Sequence, residues 1–132
     1  MAEKEFTCPV AGTLSMIGGK YKSIILYHLM KETLRYSELH KRMPKATDKM
    51  LTQQLRELEK DGLIRRTVYP VVPPKTEYSL TDFGRTLSPI IEAMQQWGNT
   101  HLNIAGSEES EPLLEQGTSE PQQRVKLNMH IF

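Results

Sequence analysis

Lys49, Thr52, Gln53, Arg56 and Lys60 recur at helical spacing, so a helix through them carries all five on one side. Carboxamide and guanidinium groups can bond the edges of nucleic-acid bases, and lysine charges suit phosphates. The solvated face of an ordinary amphipathic helix has the same pattern, and for an isolated helix that plainer reading prevails. Beyond the helix, Arg65, Arg66 and Lys75 flank a proline-rich turn, PVVPPK, where a hairpin could reach a neighbouring phosphate or minor groove. Arg66 alternates with Ile64 and Val68, so pairing with an internal acid such as Glu77 competes with that role. Lys75, beside the turn, is the better candidate for such a contact with DNA, and the prolines would lower the ordering cost of the hairpin on binding.

Other reactive residue types are sparse. Cys8, the single cysteine, precedes Pro9 and is placed to cap a first helix, where unpaired N–H groups favour a thiolate. Gly18-Gly19-Lys20 lacks the spacing of a phosphate loop and reads as a helix break, with Lys20 and Lys22 candidates for the DNA backbone. His28, His40, His101 and His130 share neither a helical face nor a cysteine or carboxylate set at ligand spacing, so no metal site or cofactor is expected. No nucleophile-elbow context surrounds any Ser, Cys or His. The sequence argues against an enzyme.

A length of 132 residues fits one domain. No apolar run is long enough to cross a membrane, no leader pattern is evident, and one cysteine suits a reducing compartment, so the cytoplasm is expected. The formal net charge of +1 hides an uneven split. Phe6 to Ile104 carries 14 Lys and Arg against 9 Asp and Glu, whereas Ala105 to Phe132 carries 2 against 5. A mildly basic body with an acidic tail is compatible with a polyanion partner but decides little alone.

The elements that must position these residues are local in origin. Pro9 opens a first helix, with Val10, Leu14 and Ile17 on one stripe. Lys20 to Met30 reads as a central helix with Ile25 and Leu29 deepest. Leu34-Arg35-Tyr36 is extended, Ser37 caps a two-turn helix with Leu39 and Met43 inward, and Pro44 ends it. Thr47 caps the next helix, whose Leu51, Leu55 and Leu58 form an apolar stripe up to Asp61, with Gly62 just past its end. Two helices with so short a turn between them have the form of a helix-turn-helix. Leu63–Tyr69 and Thr76–Leu80 read as strands of a hairpin, with Tyr78 and Leu80 inward. Thr81 caps a last helix bent at Pro89, and its apolar face from Phe83 to Leu102 is longer than a small core needs. Residues 105 to about 123 read as a mobile tail. In RVKLNMHIF alternate residues are apolar, as in a strand, which pairs with a sheet edge or stays unstructured.

The runs CPV, LSMIGGKYK and ILYHL, the stretch MLTQQLRELEKDGLIRRTVYPVVPPKTEYSLTDFGR, and the WG pair together resemble the HxlR group of bacterial transcription regulators, relatives of the MarR group. The likeness covers roughly Cys8 to Leu102. Tyr21 departs from it, standing where members usually carry Trp, and the tail has no counterpart. The resemblance implies a mainly α (α+β) winged helix-turn-helix with a two-stranded β wing, over residues 8–104 between an N-terminal extension (1–7) and the acidic tail (105–132). It implies a homodimer through the first and last helices, placing Leu14, Ile90, Met94 and Trp97 in the interface. It also implies a regulator that binds a pseudo-palindromic double-stranded DNA operator. With it, DNA contact by Lys49, Thr52, Gln53, Arg56, Lys60 and Lys75 outweighs the plainer reading. Some members of the group use this Cys-Pro cysteine to sense oxidants or electrophiles; here Cys8 as sensor and Cys8 as simple cap stand level. A winged helix turned protein-interaction module is the alternative, and a ligand-binding or redox enzyme built on the dimer cleft stands third.

Overall fold

A computed structural model describes residues 7–104 and the backbone of 125–126. The chain divides into two compact units, one up to Ser88 and one from Pro89.

The first unit opens with α1 (Pro9–Ile17), which begins at its proline and stops at Gly18. Gly19 follows with a positive φ of 90°, a conformation that side-chain-bearing residues rarely adopt. Helix α2 (Lys22–Lys31) buries Ile25, Leu26 and Leu29 and packs on α4 (Asp48–Lys60) and on strand β3 (Lys75–Leu80). Strand β1 (Leu34–Arg35) leads directly into α3 (Tyr36–Arg42). Here the expected cap moves by two residues. The helix starts at Tyr36, and the Arg35 N–H donates to Glu38 Oε1 at 2.8 Å, so Ser37 lies inside the first turn and caps nothing. Leu39 and Met43 face inward as the spacing requires.

Helix α4 has both of its expected ends. Thr47 accepts from the Met50 N–H at 3.1 Å, and Gly62, at φ 81°, lets the chain leave the helix. Leu51, Leu55 and Leu58 are at most 2% exposed. Burying each such leucine stabilises the fold by roughly 1.5–3 kcal/mol, and this stripe holds the helix-turn-helix together.

Strand β2 (Ile64–Tyr69) pairs antiparallel with β3, and β1 pairs with the other edge of β3, giving the order β1-β3-β2. Tyr78 and Leu80 are the inward positions of β3. The base of this hairpin is stitched by Thr81. Its N–H donates to the Leu63 carbonyl (3.1 Å), its hydroxyl donates to the Gly62 carbonyl (2.6 Å) and accepts from the Gly84 N–H (2.9 Å). A Cβ on Gly84 would overlap the Leu63 carbonyl, which is why a glycine stands in the TDFGR run. The single bent helix expected after Thr81 is two helices. A short α5 (Asp82–Arg85) ends in a turn at Thr86-Leu87, and α6 (Ser88–His101) starts anew with Pro89 in its first turn, where a missing N–H costs nothing.

In the second unit, α6 leads into β4 (Leu102–Asn103), which pairs in parallel with β5 (Val125–Lys126). The alternating run at the end of the sequence thus contributes a paired segment at its start. The expected mobile stretch and the rest of that run lie outside the described residues. No described helix is long and apolar enough to cross a membrane.

Candidate nucleic-acid interface

With the leucine stripe of α4 turned into the core, its opposite side must face outward. Lys49, Thr52, Gln53 and Arg56 line one shallow depression there, together with Asp48. Lys60 is exposed one turn further on. The next residue after Gln53, Gln54, serves the packing instead. Its Oε1 accepts from the Tyr21 N–H at 3.2 Å, bracing α4 against the entry to α2.

Gln53 is not a free amide. Its Nε2 donates to Glu57 at 3.3 Å, and Glu57 in turn pairs with Lys22 at 2.8 Å. The Lys22 side chain is only 9% exposed, so its charge belongs to the α2–α4 contact and not, as the sequence suggested, beside a DNA backbone. Its carboxylate partner came from a helix more than 30 residues away, a pairing no local pattern reveals.

Two residues of α3 that side-chain type alone did not single out as part of this face contact the start of α4. The Tyr36 hydroxyl donates to Asp48 Oδ1 at 2.6 Å, and His40 Nδ1 lies 3.5 Å from the same oxygen. His40 Nε2 contacts the Ala46 carbonyl at 2.9 Å, tying α3 to the turn before α4. Partial burial pushes the Tyr36 phenol up, the bond to Asp48 adds to this, and the Thr52 hydroxyl opposes it. The only sequence signal was an aromatic residue at the junction of a strand and a helix, which many cores share.

On the wing, the Lys75 ammonium sits 3.3 Å from Glu77 and 4.9 Å from the centre of the Tyr69 ring. Glu77 therefore has Lys75 as its partner, two residues away on the same strand face. Arg66 is instead paired across the strands with Tyr78. Burial pushes the Tyr78 phenol up, and Arg66 pulls it back. Arg65 and Arg66 are exposed, and Val72 at the wing tip is almost wholly so.

Cys8 is exposed at the N-cap of α1. Its sulfur does not meet the geometry of a capping hydrogen bond, yet the amides of Ala11 and Val10 hold the thiol below the range of an ordinary cysteine. On α1, Val10 and Leu14 are exposed; on α6, Ile90, Met94 and Trp97 are exposed along one stripe, with the indole stacked on His101.

A helix presenting such a face, followed by an antiparallel wing, is a winged helix-turn-helix, and residues 16–105 match the family model described as HxlR-like helix-turn-helix. The chain belongs to the HxlR family. It is a transcriptional regulator of HxlR/MarR type. Within the family it is 58% identical over 94 residues to YdeP of Bacillus subtilis (strain 168), an uncharacterized HTH-type transcriptional regulator, covering 71% of this chain and 73% of that one. YybR of the same organism, described in the same terms, is 50% identical over 107 residues, covering 81% and 86%. Among solved structures, the redox regulator HypR in its oxidized form superposes with a TM-score of 0.71 at 52% identity, covering 74% of this chain and 100% of that one.

Proposed function

We propose that this HxlR-family chain regulates transcription by binding a pseudo-palindromic operator as a homodimer, with α4 in the major groove. The observation that carries this reading is the depression on α4, where one ammonium, one hydroxyl, one carboxamide and one guanidinium, beside the Asp48 carboxylate, line an outward face fixed from behind by three buried leucines. Such a set supplies base-edge readers and a phosphate contact together. Two-fold pairing sets the recognition helices about 34 Å apart, matching half-sites one DNA turn apart.

Gln53→Ala or Arg56→Ala is expected to lose about 1–3 kcal/mol on the operator and to alter base preference at particular positions. Lys75→Ala is expected to weaken all duplexes alike and by less, because Glu77 already offsets much of its charge. Titrating wild type and variants with operator duplexes and their single-base variants, at two salt concentrations, measures both effects. An unchanged ranking of operator variants for Gln53→Ala and Arg56→Ala would exclude this reading face. Binding indifferent to salt would point instead to a protein partner.

Cys8 makes the regulator responsive to thiol-reactive compounds. Its exposure, its lowered pKa and the likeness to the redox regulator HypR support this. As the single cysteine, it forms a disulfide only with a second subunit or a small thiol. The thiolate is the reactive form, so a lowered pKa moves the alkylation profile toward lower pH. The half-maximal alkylation rate of Cys8 is expected at a lower pH in the folded protein than in urea. Operator affinity of wild type, but not of Cys8→Ser, is expected to change after treatment with a quinone or a disulfide-forming oxidant. Equal binding before and after confirmed modification would leave Cys8 as the N-cap residue of α1 with no sensing role.

A further inference from the structure

A carboxylate is an awkward group to find on a DNA-reading face, because it repels every phosphate and every acceptor in the grooves. Asp48 nonetheless lines the same depression as Thr52, Gln53 and Arg56, and its side chain is 76% exposed. It is also held in place. Tyr36 donates to Oδ1 at 2.6 Å, and His40 stands 3.5 Å from that oxygen, itself anchored to the Ala46 carbonyl. Both contacts fall on Oδ1, while a carboxylate accepts at about four lone-pair positions, so Asp48 keeps acceptor capacity for a donor from outside.

The major groove offers only two kinds of base-edge donor, the amino groups of cytosine and adenine. Adenine places its N7 acceptor beside that amino group, which repels a carboxylate; cytosine does not. We propose that Asp48 is a specificity-determining residue that accepts from a cytosine amino group in each half-site, with Tyr36 as the residue that positions it. This rests on α4 being the DNA-reading helix. An acid in the first turn also suits the positive end of a helix, but that role needs neither the phenol clamp nor a place among the base-reading side chains. The N-terminal residues of a recognition helix are those that meet base edges, and Asp48 is the first residue of α4.

The experiment selects duplexes from a library of randomised half-sites with the full-length wild type, then measures the chosen operator and its single-base variants against wild type, Asp48→Asn and Tyr36→Phe. Thermal melting accompanies each variant as a check on folding. Wild type is expected to prefer cytosine at one position of each half-site by roughly 5- to 150-fold. Asp48→Asn is expected to lose that preference and favour adenine there, because a carboxamide bonds N6 and N7 together, while the ranking at other positions stays. Tyr36→Phe is expected to keep cytosine in first place with a narrower margin. If Asp48→Asn strengthens binding to every duplex alike and preserves all rankings, Asp48 contributes charge alone and the inference is overturned. If Tyr36→Phe leaves the margin intact, its positioning role is overturned. Should wild type show neither sequence preference nor salt-dependent duplex binding, the DNA-reading assignment of α4 fails first, a result distinct from either of these.

Discussion

Trp97→Ala is expected to raise the dissociation constant of the proposed homodimer by about 30- to 1,000-fold, and to weaken operator binding in parallel. The indole is 56% exposed on a single chain, in one stripe with Ile90 at 41% and Met94 at 47%. A contiguous apolar face of this kind on a folded protein marks a surface that a partner covers. An interfacial tryptophan buries on the order of 150–250 Å², and truncating such an anchor typically costs about 2–4 kcal/mol, which is the range of dissociation constants given. The ring is already ordered by its stack on His101, at 4.8 Å between centroids, so little side-chain entropy is lost on pairing. Operator affinity falls with dimer affinity because joining two half-site readers makes the second contact effectively intramolecular. Sedimentation equilibrium of wild type and variant, beside binding to a full operator and to an isolated half-site, separates the two effects. The variant is expected to lose affinity for the full operator and to keep it for the half-site. A wild-type chain that stays monomeric at micromolar concentration, with or without DNA, would rule out the homodimer.

The second large effect is on stability. Leu55→Ala is expected to cost about 2–5 kcal/mol, a large share of the 5–15 kcal/mol that holds a typical domain folded. Leu55 is the middle member of the α4 stripe, 2% exposed, between Leu51 and Leu58, which are fully covered. Removing three carbons there leaves a cavity that the α2–α4 packing can only partly close. Lys49→Ala, on the outer side of the same helix, is expected to stay within about 0.5 kcal/mol of wild type. Urea unfolding followed by circular dichroism measures both. A loss below about 1 kcal/mol for Leu55→Ala would mean that α4 is not seated in the core as described, and its outer face would no longer be fixed by what lies behind it.

Much of this fold is legible along the chain because its signals are short-range. Thr47 and Gly62 mark the ends of α4 through bonds and dihedrals within one turn, and the leucine spacing states which side is buried. The hairpin is equally local: β-forming residues on either side of PVVPPK, with Tyr78 and Leu80 alternating inward. Burying one face of α4 leaves only one other face for Lys49, Thr52, Gln53 and Arg56, so the sequence already determined which side chains would share the outer surface.

What the sequence alone could not determine were partnerships between residues far apart in the chain or indifferent to periodicity. Lys22 has the look of a surface lysine until Glu57 arrives from another helix and neutralises it in a nearly buried site. Glu77 fits Arg66 by type, but strand register sets Arg66 opposite Tyr78, and the period of two sets Lys75 beside Glu77 on one face. Thr81 and Pro89 allow either a bent helix or two helices; the stitching of Thr81 and Gly84 to Gly62 and Leu63 holds the first as a separate turn. The clamp of Tyr36 on Asp48 spans 12 residues and the turn between two helices. Each outcome depends on which polar atoms of side chain and backbone the fold brings within about 3 Å of one another, and hydrogen bonds and ion pairs at that distance are settled by packing, not by the residue types that make them.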